Sequence, residues 1–261
     1  LLHMFAEERQ NAIKAMLEKM GAVTTAHLVR EFNVSTETVR RDLLILEEHG
    51  ALKRVHGGAV KEGGTLVYSD LENRLDLNTD EKRELAEKAA QCISENDILM
   101  IDSGSTAAVL AEELRRSFKR LTVITYSLDI LDILKDCKEY TLILCGGQFI
   151  PSEKSFCGSL VLDAIGRIHA YKAFICPSAV SIEHGIGDFQ DSLGMIQKAM
   201  LSAADKVYIL ADSSKFEQSA MLKVSDLRSD YICVTDSGIS DELIKLYAEN
   251  GITILKGGDK K

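Results

Sequence analysis

The run Val34-Ser35-Thr36-Glu37-Thr38-Val39-Arg40-Arg41-Asp42-Leu43, followed closely by Leu52-Lys53-Arg54-Val55-His56-Gly57-Gly58-Ala59, constrains the fold of this chain more than any other stretch. Ser35 is placed to cap a helix, and Glu37 falls in its first turn, where negative charge suits the helix dipole. Val39, Leu43 and Leu46 share one face as far as Gly50, which leaves Arg40 and Arg41 looking outward. Upstream, Ile13, Met16, Leu17 and Met20 recur at three and four and predict an amphipathic helix ending at Gly21. Thr24 or Thr25 can cap a second helix, with Leu28 and Phe32 inward, that stops at Asn33, a residue tolerant of a tight left-handed turn. Beyond Gly50, Leu52 to Val55 and Ala59-Val60 predict a hairpin around the pair Gly57-Gly58. The expected unit is a winged helix-turn-helix over residues 4–60, with its motif at about 23–42.

A recognition helix presents polar groups near its N-terminus to base edges while its back packs on the other helices. Thr36, Glu37, Thr38, Arg40 and Arg41 meet the first demand, and Val39, Leu43 and Leu46 the second. A bidentate arginine on guanine discriminates by roughly 1–3 kcal/mol, so Arg40 or Arg41 is the expected base reader. Thr24, Thr25, Ser35, Lys53, Arg54 and His56 suit phosphate positioning, which fixes register without reading sequence. The plain alternative is a solvated Arg40-Arg41 face paired with Glu37 or Glu47; another is a winged helix that binds protein.

The net charge of −9 sits oddly with a nucleic-acid partner until the chain is divided. Residues 1–60 hold eight basic and eight acidic residues, so all the excess acid lies beyond them. Such a body weakens non-specific attraction to DNA and leaves affinity to a local basic patch, reinforced by dimerisation. The six cysteines lie in apolar contexts with no CxxC pair and no histidine at zinc spacing, so they read as reduced core thiols and no metal or cofactor is expected. No apolar run approaches the ~18 residues of a membrane span and no leader pattern opens the chain, so a cytoplasmic location without membrane partners is expected. Leu1-Leu2-His3 ahead of Met4 reads as non-native residues, set apart from the fold, with native numbering expected to start at Met4.

Residues 61–79, with Gly63-Gly64 among mixed polar residues, read as a linker. From about residue 80 to 261, short apolar runs alternate with helical patterns, which predicts an α/β domain with a mostly parallel sheet. The expected strands are Ile98–Asp102, Leu121–Thr125, Thr141–Cys145, Ala173–Cys176, Val207–Asp212, Tyr231–Thr235 and Ile252–Leu255, with helices over 80–94, 106–116, 127–136, 190–205 and 240–249. Small, hydroxylated and glycine residues follow these strands: Asp102-Ser103-Gly104-Ser105-Thr106, Thr125-Tyr126-Ser127, Gly146-Gly147 and Asp212-Ser213-Ser214-Lys215. They gather at the carboxyl edge, where open α/β sheets bind ligands.

The run from Ser35 to Leu43, with Leu46-Glu47, Gly50 and Arg54-Val55-His56-Gly57-Gly58-Ala59, resembles the N-terminal signature of DeoR-type bacterial repressors. The resemblance continues through Glu81-Lys82, the Asp102 loop, Val123-Ile124-Thr125, Gly146-Gly147 and Leu210-Ala211-Asp212-Ser213-Ser214-Lys215-Phe216, and so covers nearly the whole chain. It implies a sensor domain similar in fold to ribose-5-phosphate isomerase and glucosamine-6-phosphate deaminase, with phosphorylated sugars or polyols as effectors and a double-stranded DNA operator as partner. Because helix-turn-helix proteins commonly bind repeated half-sites and one head offers few cations, a homo-oligomer, dimer or tetramer, is expected.

The residues independently allow an anion site: amides, the hydroxyls of Ser103, Ser105 and Thr106, and a helix dipole can converge on a phosphate, with Lys215 supplying positive field. Plainer readings are a strand-to-helix turn, a surface Lys215, and an Asp102 that holds a loop amide instead of a sugar hydroxyl. Tyr126 departs from the family's usual Asn, and Tyr171 from its usual Asp; a phenol is larger and can stack on a sugar face. The expected function is a repressor released from DNA by a phosphorylated sugar. The alternative is an isomerase or deaminase with an accessory winged helix, although the loops offer Asp102, Asp212 and Asp236 without an obvious convergent Glu/His pair.

Overall fold

A computed structural model describes residues 5–20, 22–55, 58–60 and 70–258, and the chain divides into two compact units, Leu1–Asp80 and Glu81–Lys261. The first unit holds α1 (Ala6–Met20), β1 (Ala22–Thr24), α2 (Thr25–Phe32), α3 (Thr36–Glu48), β2 (Lys53–Val55), β3 (Gly58–Val60) and α4 (Leu71–Leu75). Asn33, at φ 50°, makes the left-handed turn between α2 and α3. Ile13, Leu17, Val23, Leu28, Val39, Leu43, Leu46, Leu52 and Ala59 form one buried cluster, each large side chain contributing about 1.5–3 kcal/mol of transfer energy.

The wing is larger than a hairpin. β3 pairs with β2 through Lys53↔Val60 and Val55↔Gly58, and also with β1 through Ala22↔Val60 and Thr24↔Gly58. Gly58 is thus a paired strand residue and not half of the turn, because β1 supplies a second antiparallel partner to β3. The end of the stretch expected as linker is also ordered: Leu71 and Leu77 are buried, and α4 lies against β1. Residues 61–69 of that stretch lie outside the described residues.

The second unit is built on seven parallel strands. In chain order its elements are α5 (Thr79–Ala90), β4 (Ile98–Ile101), α6 (Ser105–Ser117), β5 (Thr122–Thr125), α7 (Leu128–Leu134), β6 (Thr141–Leu144), β7 (Gln148–Ile150), β8 (Ser155–Cys157), α8 (Ser159–Gly166) and β9 (Ala170–Ile175). There follow β10 (Ala179–Ser181), β11 (Gly185–Asp188), α9 (Asp191–Leu201), β12 (Ala204–Leu210), β13 (Leu222–Ser225), β14 (Tyr231–Thr235), α10 (Asp241–Glu249) and β15 (Thr253–Lys256). The sheet order is β15-β14-β12-β9-β4-β5-β6.

Side chains alternate across the sheet as a period of two requires. Leu99, Ile101, Val123 and Phe174 pack with Leu85 of α5, Leu110 and Leu114 of α6 and Ile130 of α7. Met100, Ile124, Ala173 and Ile175 face the other way, toward Val161 of α8, Ile196 and Met200 of α9 and Tyr247 of α10. The chain runs outward from β4 to β5 and β6, then returns to β9 on the opposite side of β4. The strand order therefore reverses between β4 and β9, the kind of place where open α/β sheets bind ligands at the carboxyl ends of their strands.

Each of the seven expected strands is present within a few residues. The helix expected over 190–205 stops at Leu201, because β12 already begins at Ala204 and pairs there with Ala170. Three features were not expected: the β7–β8 hairpin, α8, and a small antiparallel sheet in the order β10-β11-β13.

Candidate functional site

The Ser35 hydroxyl caps α3: its Oγ accepts from the Thr38 amide at 3.1 Å and lies 2.8 Å from Thr38 Oγ1. Ser35, Thr36, Glu37, Arg40 and Arg41 are exposed, as are Lys53 and Arg54 on β2. Among the described residues neither Arg40 nor Arg41 makes an ion pair. Glu47, one of their expected neutralising partners, is taken by Arg54: its Oε1 accepts from the Arg54 amide at 2.7 Å, and its Oε2 lies 3.9 Å from the guanidinium. Thr25 opens α2 and is half-buried, and Thr24 closes β1; His56 lies outside the described residues.

Asp42 sits on the opposite face of the same helix and was assigned no role from the sequence. It is buried; Arg9 Nε of α1 donates to its Oδ2 at 2.5 Å and Gln10 Nε2 to its Oδ1 at 3.1 Å. This pair fixes the orientation of α3 against α1, and with it the direction in which Arg40 and Arg41 point.

In the second unit the expected residues follow β4, β5, β6 and β12 at one edge, because all four strands are parallel. Asp102, completely buried one residue past β4, accepts four hydrogen bonds. Its Oδ1 takes the Ser103 amide at 2.8 Å and the Tyr126 hydroxyl; its Oδ2 takes the Cys176 amide at 2.8 Å and Gln197 Nε2 at 3.1 Å. The Cys176 contact ties the end of β4 to the end of β9 directly across the switch point. Burial pushes the Asp102 carboxyl up to about 6, against the donors that favour its charged form.

Tyr126 is 1% exposed, and its ring belongs to the core cluster, so it does not present a face to a ligand in the manner expected. Its hydroxyl donates to Asp102 and accepts from Ser103 Oγ at 3.1 Å. Burial and the adjacent carboxylate push the phenol pKa well above its usual range, so it remains a donor. Tyr171, the other departure, is exposed near the start of β9, at the sheet edge opposite the strand ends.

Gly104, at φ 98°, turns the chain into α6 with no side-chain cap, leaving the first-turn amides beside Ser103, Ser105 and Thr106. Thr125 Oγ1 accepts from the Ser127 amide at 3.1 Å, and Ser127 caps α7. Gly147 runs so close to β8 that a Cβ there would meet the Cys157 carbonyl at 2.4 Å; Gly146 is open. Asp212 caps the turn Ser213–Lys215, and Lys215 is half-buried. β6 and β12 are four strand spacings apart, roughly 19 Å, so the Gly146-Gly147 and Asp212–Lys215 loops lie on opposite sides of the β4–β9 switch point.

The model of the DeoR-like helix-turn-helix domain matches residues 9–62, and that of the DeoR C-terminal sensor domain matches residues 77–237. The HTH-type transcriptional regulator GolR of Listeria innocua is 32% identical over 251 residues, covering 96% of this chain and 98% of that protein. The chain belongs to the DeoR family of transcriptional regulators. Other DeoR-type relatives include the lactose phosphotransferase system repressor of Lactococcus lactis, 33% identical with 97% and 99% coverage, and the repressor GlcR of Bacillus subtilis, 30% identical with 97% and 96%. Among solved structures, ribose 5-phosphate isomerase A from Neisseria gonorrhoeae aligns with a TM-score of 0.40 at 20% identity, covering 52% of this chain and 53% of that one.

This DeoR-family protein is therefore a transcriptional regulator, and the carboxylates at its strand ends have structural partners. Asp102, Asp188, Asp212 and Asp236 each hold a backbone amide of their own loop, and Asp102 and Asp236 also hold one of a neighbouring strand end, Cys176 and Ser213. No helix among the described residues is long and apolar enough to cross a membrane.

Proposed function

We propose that this DeoR-family protein represses a sugar or polyol catabolic operon and leaves its operator when a phosphorylated sugar binds the sensor domain. Arg40 and Arg41 read base edges in the major groove. Thr36, Glu37 and Thr38 line the same helix end, while Thr24, Thr25, Ser35, Lys53, Arg54 and His56 position phosphates. A homo-oligomer brings two such heads to paired half-sites, as one neutral head has too few cations for tight binding.

One observation carries the effector reading: α6 begins at the switch point with an uncapped first turn, behind a left-handed Gly104 and among three hydroxyl side chains. Such a terminus accepts a phosphate through amides and dipole together. The sugar then extends toward Thr125 and Ser127 on one side, or toward Asp212 and Lys215 on the other. The similarity to a lactose phosphotransferase system repressor is consistent with a carbohydrate signal.

The test is a thermal-shift screen of the full chain against pentose 5-phosphates, hexose 6-phosphates and polyol phosphates, with the free sugars as controls. A ligand at about 100 times its dissociation constant adds ~2.7 kcal/mol of stability. Stabilisation by a phosphorylated compound and not by its free sugar is the expected result; no shift across the panel would refute the effector reading.

A further inference from the structure

Gln197 reaches from α9 to Asp102 at the β4–β9 switch point and is 3% exposed. Its two amide hydrogens are both engaged, since Nε2 donates to Asp102 Oδ2 at 3.1 Å and to Asp188 Oδ2 at 2.9 Å. These acceptors also fix which end of the amide faces them, because the flipped orientation would set a carbonyl oxygen against two carboxylates. The other end, Oε1, is buried and has no hydrogen-bond partner among the described residues. A buried acceptor left without a donor destabilises the state that contains it. Nearly every other buried polar group around it is satisfied, so the orphan is a local exception within a well-bonded network.

The network also couples the amide to the elements a ligand would touch. Asp102 links Gln197 to Tyr126 and to the Ser103 amide at the entrance of α6, and Asp188 links it to the Phe189 amide ahead of α9.

Resting on the sensor reading above, we propose that Gln197 is an effector-reading residue whose Oε1 accepts a hydrogen bond from a hydroxyl of the bound phosphorylated sugar. Because Oε1 is closed to solvent, a hydroxyl reaches it only as the ends of β4 and β9 rearrange. Satisfying the orphan acceptor then stabilises the rearranged state over the closed one, which is the differential affinity a ligand needs to shift a conformational equilibrium. An amide suits this role: it accepts a hydrogen bond and cannot take the proton, so the sugar is recognised and left unreacted.

The experiment takes a pentose or hexose phosphate that stabilises the wild-type chain and compares it with its series of monodeoxy analogues, in wild type and in Gln197→Met. In wild type, one deoxy position weakens binding by at least about tenfold, as expected where a site is built to bond a hydroxyl. In Gln197→Met the parent sugar falls to the level of that analogue, and their ratio collapses toward one. A variant that merely loosened the fold would weaken parent and analogue alike; an unchanged ratio overturns the proposal. A second measurement needs no variant: the side-chain 13Cδ resonance of Gln197 in labelled wild-type protein shifts with the parent sugar phosphate and not with the discriminating analogue. A resonance unmoved by a bound ligand overturns the proposal by itself. If no sugar phosphate stabilises wild type, the sensor reading itself fails, an outcome distinct from the other two.

Discussion

The hydroxyl of Tyr126 donates to the carboxylate of Asp102, each residue standing one position past the end of adjacent parallel strands. The ring of Tyr126, where the family resemblance implies an Asn, is buried in the core, and its hydroxyl serves Asp102. A smaller side chain there would leave Asp102 short of a donor.

Tyr126→Phe keeps the ring and removes that donor. The expected cost is about 1–3 kcal/mol at neutral pH, where Asp102 is ionised and needs the hydrogen bond. The cost shrinks as pH falls below about 6, where the carboxyl takes up its own proton. Urea unfolding of both proteins at pH 5 and pH 7.5 checks this, and equal costs at both would contradict it.

Asp102 also sets a pH dependence of its own. Its folded pKa of about 6 lies above the ordinary 3.8, so between these values the folded chain holds a proton that the unfolded chain has released. The contribution of this group to stability therefore falls as pH rises from about 4 to about 6, by about 3 kcal/mol in all, and is flat above. Asp102→Asn loses that slope. The stability difference, variant minus wild type, should move in favour of the variant across this window; parallel profiles would contradict the assignment.

Arg9 and Asp42 form a buried pair. Removing one partner, as in Arg9→Met, should destabilise the first unit by about 3–5 kcal/mol by stranding a buried carboxylate. The double variant Arg9→Met with Asp42→Leu should recover much of that loss. Thermal unfolding of the two variants and of Asp42→Leu closes the cycle, and strictly additive costs would mean that the pair is not coupled.

Arg40→Ala and Arg41→Ala should behave differently, leaving stability near wild type because both side chains are exposed. The base reader should lose about 1–3 kcal/mol of operator affinity and relax specificity at one base pair, whereas Lys53→Ala should weaken all sequences alike and lower the salt slope by about one. Anisotropy titrations with operator and scrambled duplexes at several salt concentrations separate these. An unchanged affinity in both arginine variants would defeat the assignment of α3 as the reading helix.

Much of this architecture was legible in the sequence for a simple reason. The seven strands of the large sheet are short apolar runs bounded by polar or glycine residues, and α3 shows its cap, its buried stripe and its exposed arginines in one stretch. What was not legible depends on distant partners. β1 has three residues and no pattern, and exists because β3 offers it an edge. β11 contains Gly185 and Gly187, which seldom mark strands, yet the Ser225 carbonyl lies 2.2 Å from where a Cβ of Gly185 would stand, and Gly187 packs tightly on Ala220 and Leu222. Asp42 did carry a signal, as an acid on the stripe of Val39, Leu43 and Leu46, although its partner Arg9 lies 33 positions away. The Asp102 network was legible only in part: the parallel pairing of β4 and β5 sets Tyr126 beside Asp102, as their common place after the strands suggested, whereas Gln197 stands 95 positions away on α9 and gave no signal.

The central claim is that one ligand links the two units: a phosphorylated sugar bound at the strand ends weakens the grip of α3 on DNA. The direct measurement is the dissociation constant of the full chain for duplex DNA from upstream of its own gene, with and without a sugar phosphate at a concentration that saturates the thermal shift. Typical coupling of about 1–3 kcal/mol corresponds to weakening by roughly 5- to 150-fold, with reciprocal weakening of the sugar phosphate by operator. An operator affinity unchanged at saturating ligand would contradict the account, however tightly that ligand binds.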